Sequence, residues 1–268
     1  MNDSHHHPIS DAAPPSSWMG LPWRILTWAL LLWSVILILW LYVYSVRHGG
    51  VPCWDEYERC AWASHIGYDL RHFDLTHFWK HTNAQVVWPF LHSWLTGALF
   101  VLFKPSLASA RLLSLAAHLG ITLMILAWFI RRKSPWAWPG AVTAWALYTT
   151  SPIAVQHAVS MMSEMFGLFL VLAALVTIPS DPKAKWTRWL LPGTLLALIF
   201  FYKYNYAFLT AAGLLVNRYA RGGYELRGLF QRSNLVLFGV PVVLVGLWFI
   251  PEFSQKWANL IYFAVNNP

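Results

Sequence analysis

The run ILTWALLLWSVILILWLYVYSV, residues 25–46, contains no charged side chain. As an α-helix this run would be about 33 Å long, which is enough to cross a bilayer hydrocarbon core of about 30 Å. The run is longer than the apolar core of a signal peptide, and no small-residue cleavage site follows it. It therefore predicts a permanent membrane anchor.

The rest of the chain is equally apolar. Hydrophobic residues make up 57% of the 268, the mean hydropathy is +0.46, and there are 18 Trp. We therefore expect an all-α, polytopic integral membrane protein. Residues 1–22 are polar and rich in Pro and Ser, so they predict a disordered cytoplasmic tail before a transmembrane module, residues 23–268. Further apolar runs occupy residues 88–103, 107–130, 136–155, 158–178, 189–216 and 234–251.

The net charge of +8 would suggest a nucleic-acid partner in a soluble protein. Here the basic residues cluster between apolar runs, as the positive-inside rule predicts for cytoplasmic loops, so no nucleic-acid partner is expected. The clusters are Arg131, Arg132 and Lys133; Lys183, Lys185 and Arg188; and Arg218, Arg221, Arg227 and Arg232.

Keeping these clusters in the cytoplasm predicts about seven transmembrane helices, with the N-terminus cytoplasmic. Residues 88–103 form a short run with polar interruptions, and a crossing there would put the next cluster outside, so we expect an interfacial helix. This helix belongs to a helical extracytoplasmic first loop, residues 47–106. Ser151 and Pro152 predict the cap and first turn of a helix. Residues 189–216 predict two short crossings with Lys203 near the outer turn.

The ionisable residues of separate segments should meet at the outer face. The stretch VPCWDEYERCAW, residues 51–62, places Asp55 and Glu56 there, and the topology adds Arg111, Glu164 and Lys203. Ionisable groups at membrane depth are costly and normally face a cavity or a partner. Seven residues before Glu164, His157 lies on the same helical face and is the partner we expect for its carboxylate.

Four segments resemble the N-terminal half of the GT-C superfamily of polyprenyl-phosphate-sugar-dependent glycosyltransferases, in the branch of the protein O-mannosyltransferases and lipid A aminoarabinose transferases. The similarity covers about residues 23–268 and depends mainly on the Asp-Glu pair and on SARLLS. The segments are WDEYERCAWASHIGYDLRHFD, WPFLHSWLTGALFVLFKPSLASARLLSLAAHLG, SPIAVQHAVSMMSEMF and FYKYNYAFLTAAGLLV.

The resemblance implies a catalytic carboxylate at Asp55, with Glu56 completing the pair. It implies substrate-binding roles for Arg111, for Lys203 and for Glu164, where the family usually has Asp. A Lys-Pro step of the aminoarabinose branch is Trp88-Pro89 here. The implied reaction moves a sugar from a polyprenyl-phosphate donor to a hydroxyl acceptor on a glycan, lipid or protein, at the extracytoplasmic face of a bacterial inner membrane.

These residue types suit that chemistry. A positioned carboxylate can take the acceptor proton, and Arg and Lys can stabilise the charge that develops on the departing phosphate. Simpler interpretations remain: Asp55 and Glu56 would also stabilise a helix N-terminus, Arg111 could anchor its helix at the headgroups, and Lys203 could extend to the interface.

Two other classes of function remain. The family continues through further spans, whereas this chain stops at WANLIYFAVNNP, so a non-catalytic scaffold or lipid-binding subunit, working with a partner membrane subunit, is the alternative. A transporter is disfavoured because the polar groups gather at one face. The sequence leaves open whether Cys53 and Cys60 form a disulfide. It also leaves open a divalent metal site, because the irregular spacing of the loop histidines matches no established ligand pattern. They are His65, His72, His77, His81 and His92.

Overall fold

The computed structural model describes residues 20–48, 54–85, 89–131, 137–179, 181, 184–221, 230–251 and 253–266. Within these ranges the secondary structure is helical, without a strand, which confirms the all-α prediction. The helices are α1 Gly20–Leu41, continued by a π-helical turn Tyr42–Val46, α2 Trp54–His72, α3 Leu75–Ala84, α4 Leu91–Phe103, α5 Leu107–Ile130, α6 Ala137–Thr149, α7 Pro152–Ala158, α8 Ser163–Thr177, α9 Thr187–Tyr202, α10 Tyr204–Arg221, α11 Arg232–Phe249 and α12 Phe253–Asn266.

Three helical segments are long and apolar enough to cross a membrane: Trp28–Val46, Leu107–Trp128 and Arg232–Phe249. The count in the described residues rises to four if α7 and α8, which are bent by 106° at a short break, form one span. The sequence predicted about seven. Three helices make up the difference: α6 and α9 have only 13 and 16 residues, shorter than an untilted crossing requires, and α10 has 18 residues but is less apolar.

Several boundaries differ from those predicted. α1 begins at Gly20, three residues before the predicted start of the module, and residues 1–19 of the predicted tail lie outside the described part. Ser151 caps α7 by accepting a hydrogen bond from the Ala154 N–H, with Pro152 in the first turn, as predicted. The apolar run 158–178 does not form one helix, because the chain turns sharply over residues 159–162 before α8 begins.

The bundle helices alternate in direction. The C-terminal part of α1 packs on the start of α5 through Leu41 and Leu115, while Leu30 packs near Leu126 at the other end of α5. α9 and α10 form a hairpin, because the Arg218 guanidinium lies 4.2 Å from the centre of the Trp189 ring. By such contacts α5, α8 and α10 run one way, while α1, α6, α9 and α11 run the other.

We name the two ends of the bundle by the hairpin. The Lys203 end contains the turn between α9 and α10, where Lys203 has an extended backbone conformation. At the Arg218 end lie Arg218, Trp189 and the C-terminal parts of α5, α8 and α10. The predicted turn at Lys203 between two helices is therefore confirmed, and the two short crossings stay a prediction.

α4 packs closely along α2 at a pair of glycines. A Cβ atom on Gly97 would lie 3.0 Å from both the Ala63 carbonyl oxygen and the Gly67 nitrogen, and 2.8 Å from the Ile66 Cγ2. Because two of these neighbours are backbone atoms, they cannot move without separating the helices. Gly67 and Gly97 thus hold the first-loop helices together, in the way small residues allow close approach between helices.

The substitution Gly97→Ala should reduce the free energy of unfolding in mild detergent by about 1–3 kcal/mol, the usual cost of overpacking a close contact. Gly213→Ala is the control, since a Cβ there meets nothing within 4 Å. The control should be neutral or more stable by up to about 1 kcal/mol, because Ala favours helix over Gly. Equal stabilities for the two variants would contradict the close α2–α4 contact.

Candidate functional site

α2 turns Glu56 into the protein. The buried face of this helix carries Glu56, Arg59, Ala63 and Ile66, which recur at intervals of three and four residues. Asp55 precedes Glu56 in the first turn and is only partly buried. The two neighbouring carboxylates therefore have different environments, and only that of Glu56 is almost fully removed from solvent.

Glu56 joins three parts of the fold. Its Oε2 accepts a hydrogen bond from the Arg111 Nη2 at 2.9 Å, and its Oε1 accepts one from the Arg111 Nε at 3.2 Å. The same Oε1 accepts the backbone N–H of Met161 at 2.6 Å. The Glu56 and Arg111 side chains are 2% and 9% exposed, so this is a buried bidentate ion pair.

Met161 lies in the break between α7 and α8, where its N–H has no helical acceptor. Glu56 supplies that acceptor, and the Met161 Sδ lies 3.3 Å from the Cys60 Sγ. Burial, and secondarily the Glu56 carboxylate, raise the pKa of the Cys60 thiol, while Arg111 opposes the rise. Cys60 is a free thiol in the described part of the chain, and Cys53 lies outside it.

α4 contributes His92 to the same region. Burial, and secondarily the Arg59 charge, hold the pKa of His92 well below its usual value, although a hydrogen bond to the Met161 backbone opposes this shift. His92 is therefore neutral near pH 7. The neutral imidazole therefore adds no positive charge beside the Arg59 guanidinium.

A second ion pair lies at the Lys203 end. The Lys203 Nζ donates a hydrogen bond to the Glu164 Oε1, and the ammonium lies 5.1 Å from the centre of the Tyr206 ring. Glu164 is in the first turn of α8, where the helix dipole favours a carboxylate. The Lys203 and Glu164 side chains are 19% and 24% exposed, so this pair is more open than that of Glu56 and Arg111.

From the sequence we expected His157 to be the hydrogen-bond partner of Glu164, and this expectation is wrong. Lys203 takes that place because the α9–α10 turn brings it to the start of α8. His157 is close enough to act on Glu164 electrostatically. Its Nδ1 and the Glu164 Oε2 are buried without a hydrogen-bond partner in the part of the chain described here.

Further hydrogen-bonding atoms near the break are also buried and unpaired among the described residues. They are the Ser163 Oγ, the Thr96 Oγ1 and the Tyr202 hydroxyl. Polar atoms withdrawn from water usually find a partner, and leaving each one unpaired costs about 1–3 kcal/mol. The Lys203 end therefore holds buried polar atoms whose hydrogen bonds the described residues do not supply.

The structure thus brings four of the predicted site residues into two ion pairs, Glu56–Arg111 and Glu164–Lys203, linked by residues 161–164. Asp55 is adjacent through the backbone but forms no ion pair with either cation in the described structure. Sequence reasoning missed Arg59 and Tyr202, and it considered His92 only as a metal ligand. The spacing of Glu56 and Arg59 with Ala63 and Ile66 is the signal that could have shown which α2 side chains face inward.

Loop histidines do not form a metal site in the described ranges, where no group of three or more His, Cys, Asp or Glu side chains could hold an ion. Two of the histidines instead pair with single carboxylates. The His81 Nδ1 lies 2.6 Å from the Asp69 Oδ2, and the His77 Nδ1 lies 2.7 Å from the Asp74 Oδ2. The latter pair belongs to the N-cap of α3.

Comparison with known proteins identifies no relative. No protein-family model matches the chain, and no curated protein or solved structure matches it either.

The ion pair between Glu56 and Arg111 can be tested by stability. Glu56→Gln should lower the free energy of unfolding by about 3–5 kcal/mol, because it leaves a buried guanidinium without its counter-charge. Denaturant titration in detergent measures the change.

Asp55→Asn is the matched control and should change stability little, because Asp55 is partly exposed and takes no part in either ion pair. Arg111→Gln alone should also destabilise the protein. The double variant Glu56→Gln/Arg111→Gln should lose much less stability than the sum of the two single losses. Additive losses would show that the two side chains do not interact.

Proposed function

We propose that this chain is a GT-C-type membrane glycosyltransferase that moves a sugar from a polyprenyl-phosphate donor to a hydroxyl acceptor at the extracytoplasmic face. The observation that carries this function is the gathering of Asp55, the two ion pairs and the unpaired polar atoms at one end of an apolar bundle. Such an arrangement gives a charged lipid phosphate and a hydroxyl acceptor a common site beside the hydrocarbon.

The proposed topology has seven crossings: α1, α5, α6, α7 with α8, α9, α10 and α11. The alternating helix directions support it, since successive members of this series run in opposite directions. Basic residues at the Arg218 end, including Arg131 and Arg218, favour the cytoplasm for that end. The Lys203 end then faces outward, from a bacterial inner membrane.

Asp55 is the base in the proposed reaction, because its carboxylate is accessible and is not neutralised by Arg111 or Lys203. Asp55 takes the acceptor hydroxyl proton as the acceptor oxygen bonds to the anomeric carbon of the sugar. The bond from that carbon to the phosphate oxygen breaks, and its electron pair leaves with the polyprenyl phosphate. No other co-reactant is required.

Lys203 stabilises the departing phosphate in this scheme. Its ammonium is partly exposed and paired with Glu164, so it can turn toward a phosphate while remaining near that carboxylate. Arg111 is more deeply buried and bound at two atoms by Glu56. We assign Glu56 and Arg111 to positioning the break at Met161, and His157 and Glu164 to contacts with the sugar.

The catalytic assignment predicts that Asp55→Asn lowers transfer by about 10²- to 10⁴-fold, the range that a general base provides, without changing stability. The measurement is release of polyprenyl phosphate from a radiolabelled donor by the purified chain in detergent or vesicles. Glu58→Gln, an exposed carboxylate on the same helix, is the control and should retain full activity. Normal turnover by Asp55→Asn would eliminate this base.

A non-catalytic lipid-binding subunit is the second candidate. It is favoured by the pairing of both expected phosphate-binding cations with carboxylates, which is an arrangement that also serves structure alone. The same assay separates the two functions. A subunit would bind polyprenyl phosphate but release none from the donor unless a partner membrane protein is added.

A further inference from the structure

A cavity of about 690 Å³ opens at the Arg218 end, between the C-terminal parts of α5, α8 and α10. Its wall includes Trp128 from α5 and Arg131 directly after this helix, Val176 from α8, and Asn217 and Arg218 from α10. The volume lies within the range of about 300–1,000 Å³ that small-molecule sites occupy. Neither ion pair of the candidate functional site lines it.

The cavity and the candidate functional site lie at opposite ends of the same helices. Arg111 and Arg131 are 20 residues apart on the α5 chain, which is about 30 Å of helix and matches the thickness of a bilayer hydrocarbon core. A ligand in the cavity is therefore not a substrate positioned at Asp55 or Lys203.

The described wall is positively charged. It carries two guanidinium groups and the Asn217 amide, and it includes no Asp or Glu among the described lining residues. Arg218 is buried and held against the face of Trp189, so its direction is fixed, whereas Arg131 is exposed. An anion with several acceptor oxygens complements two guanidinium groups on one wall.

The other half of the wall is apolar and open to the outside of the bundle. Trp128, Leu175 and Val176 line the cavity and are 42%, 44% and 44% exposed. A free inorganic anion would leave this surface unused. A molecule that joins a phosphate to hydrocarbon chains would cover both halves, with the chains lying over α5 and α8.

We propose that this cavity binds the headgroup phosphate of an anionic phospholipid from the leaflet on the Arg218 side. Arg131 and Arg218 hold the phosphate oxygens, Asn217 contacts the headgroup, and the acyl chains lie along Trp128 and Val176. Basic pockets between transmembrane helices bind anionic headgroups in this way. The inference depends on membrane insertion and is independent of the proposed sugar transfer.

Lipid binding is measured on the purified full chain in non-ionic detergent, as the rise in thermal unfolding midpoint with added lipid. Phosphatidylglycerol should raise the midpoint, and phosphatidylcholine at the same concentration should not. Arg131→Gln should weaken the phosphatidylglycerol affinity roughly fivefold, the effect of about one cationic residue at an anionic headgroup. Arg188→Gln, an exposed arginine outside the cavity, is the control and should bind like the unchanged chain.

A role for Arg131 in folding alone would lower the midpoint with and without lipid by the same amount, and that result would overturn the proposal. Equal responses to the two lipids would also overturn it. Glycerol phosphate and inorganic phosphate distinguish a soluble source, because a shift with these anions equal to that with phosphatidylglycerol would contradict a lipid ligand.

Native mass spectrometry of the unchanged chain provides a test that needs no variant. From an equal mixture of the two lipids, the chain should retain phosphatidylglycerol preferentially, and raising the salt concentration should reduce that preference. Indiscriminate retention of both lipids would contradict the proposal even if every variant failed to fold.

Discussion

The polar end of this fold depends on the hydrogen bonds that the Glu56 carboxylate accepts. This carboxylate reaches from α2 in the first loop to Arg111 at the start of α5 and to the Met161 N–H in the break between α7 and α8. A broken helix exposes backbone groups that an apolar environment cannot satisfy, and each such group costs several kcal/mol in lipid. By supplying an acceptor for Met161, Glu56 makes the sharp turn before α8 tolerable and thereby sets where Glu164 lies.

The residues that hold the break in place are more buried than the residues that the proposed function makes reactive. The buried pair of Glu56 and Arg111 is almost closed to solvent, whereas Asp55 and Lys203 remain partly accessible. A group that exchanges protons or contacts a substrate must be reachable, while a group that holds the backbone benefits from low dielectric, which strengthens its hydrogen bonds. Two neighbouring carboxylates on α2 thus have different environments, because one faces the bundle and the other does not, and the proposed function assigns proton transfer to the more exposed one.

Much of this organisation could be predicted from the sequence, because helix signals are local. Ser151 and Pro152 predicted the start of α7, and the polar FYKYNY segment predicted the turn at Lys203. The break over residues 159–162 was missed because its residues are mostly apolar and because it depends on long-range contacts with α2, α4 and α5. The pairing of Glu164 with Lys203 instead of His157 was missed because it depends on how α8 and α9 pack.

The most direct measurement concerns the side of the membrane on which the two halves of the site lie. In a chain whose native cysteines are replaced by alanine, single cysteines at Asp55, Asn205 and Arg131 would be treated with a membrane-impermeant maleimide in intact cells. Labelling of the first two, with Arg131→Cys protected until the membrane is permeabilised, is the predicted result. Labelling of Asp55→Cys and Asn205→Cys from opposite sides would contradict a shared extracytoplasmic site.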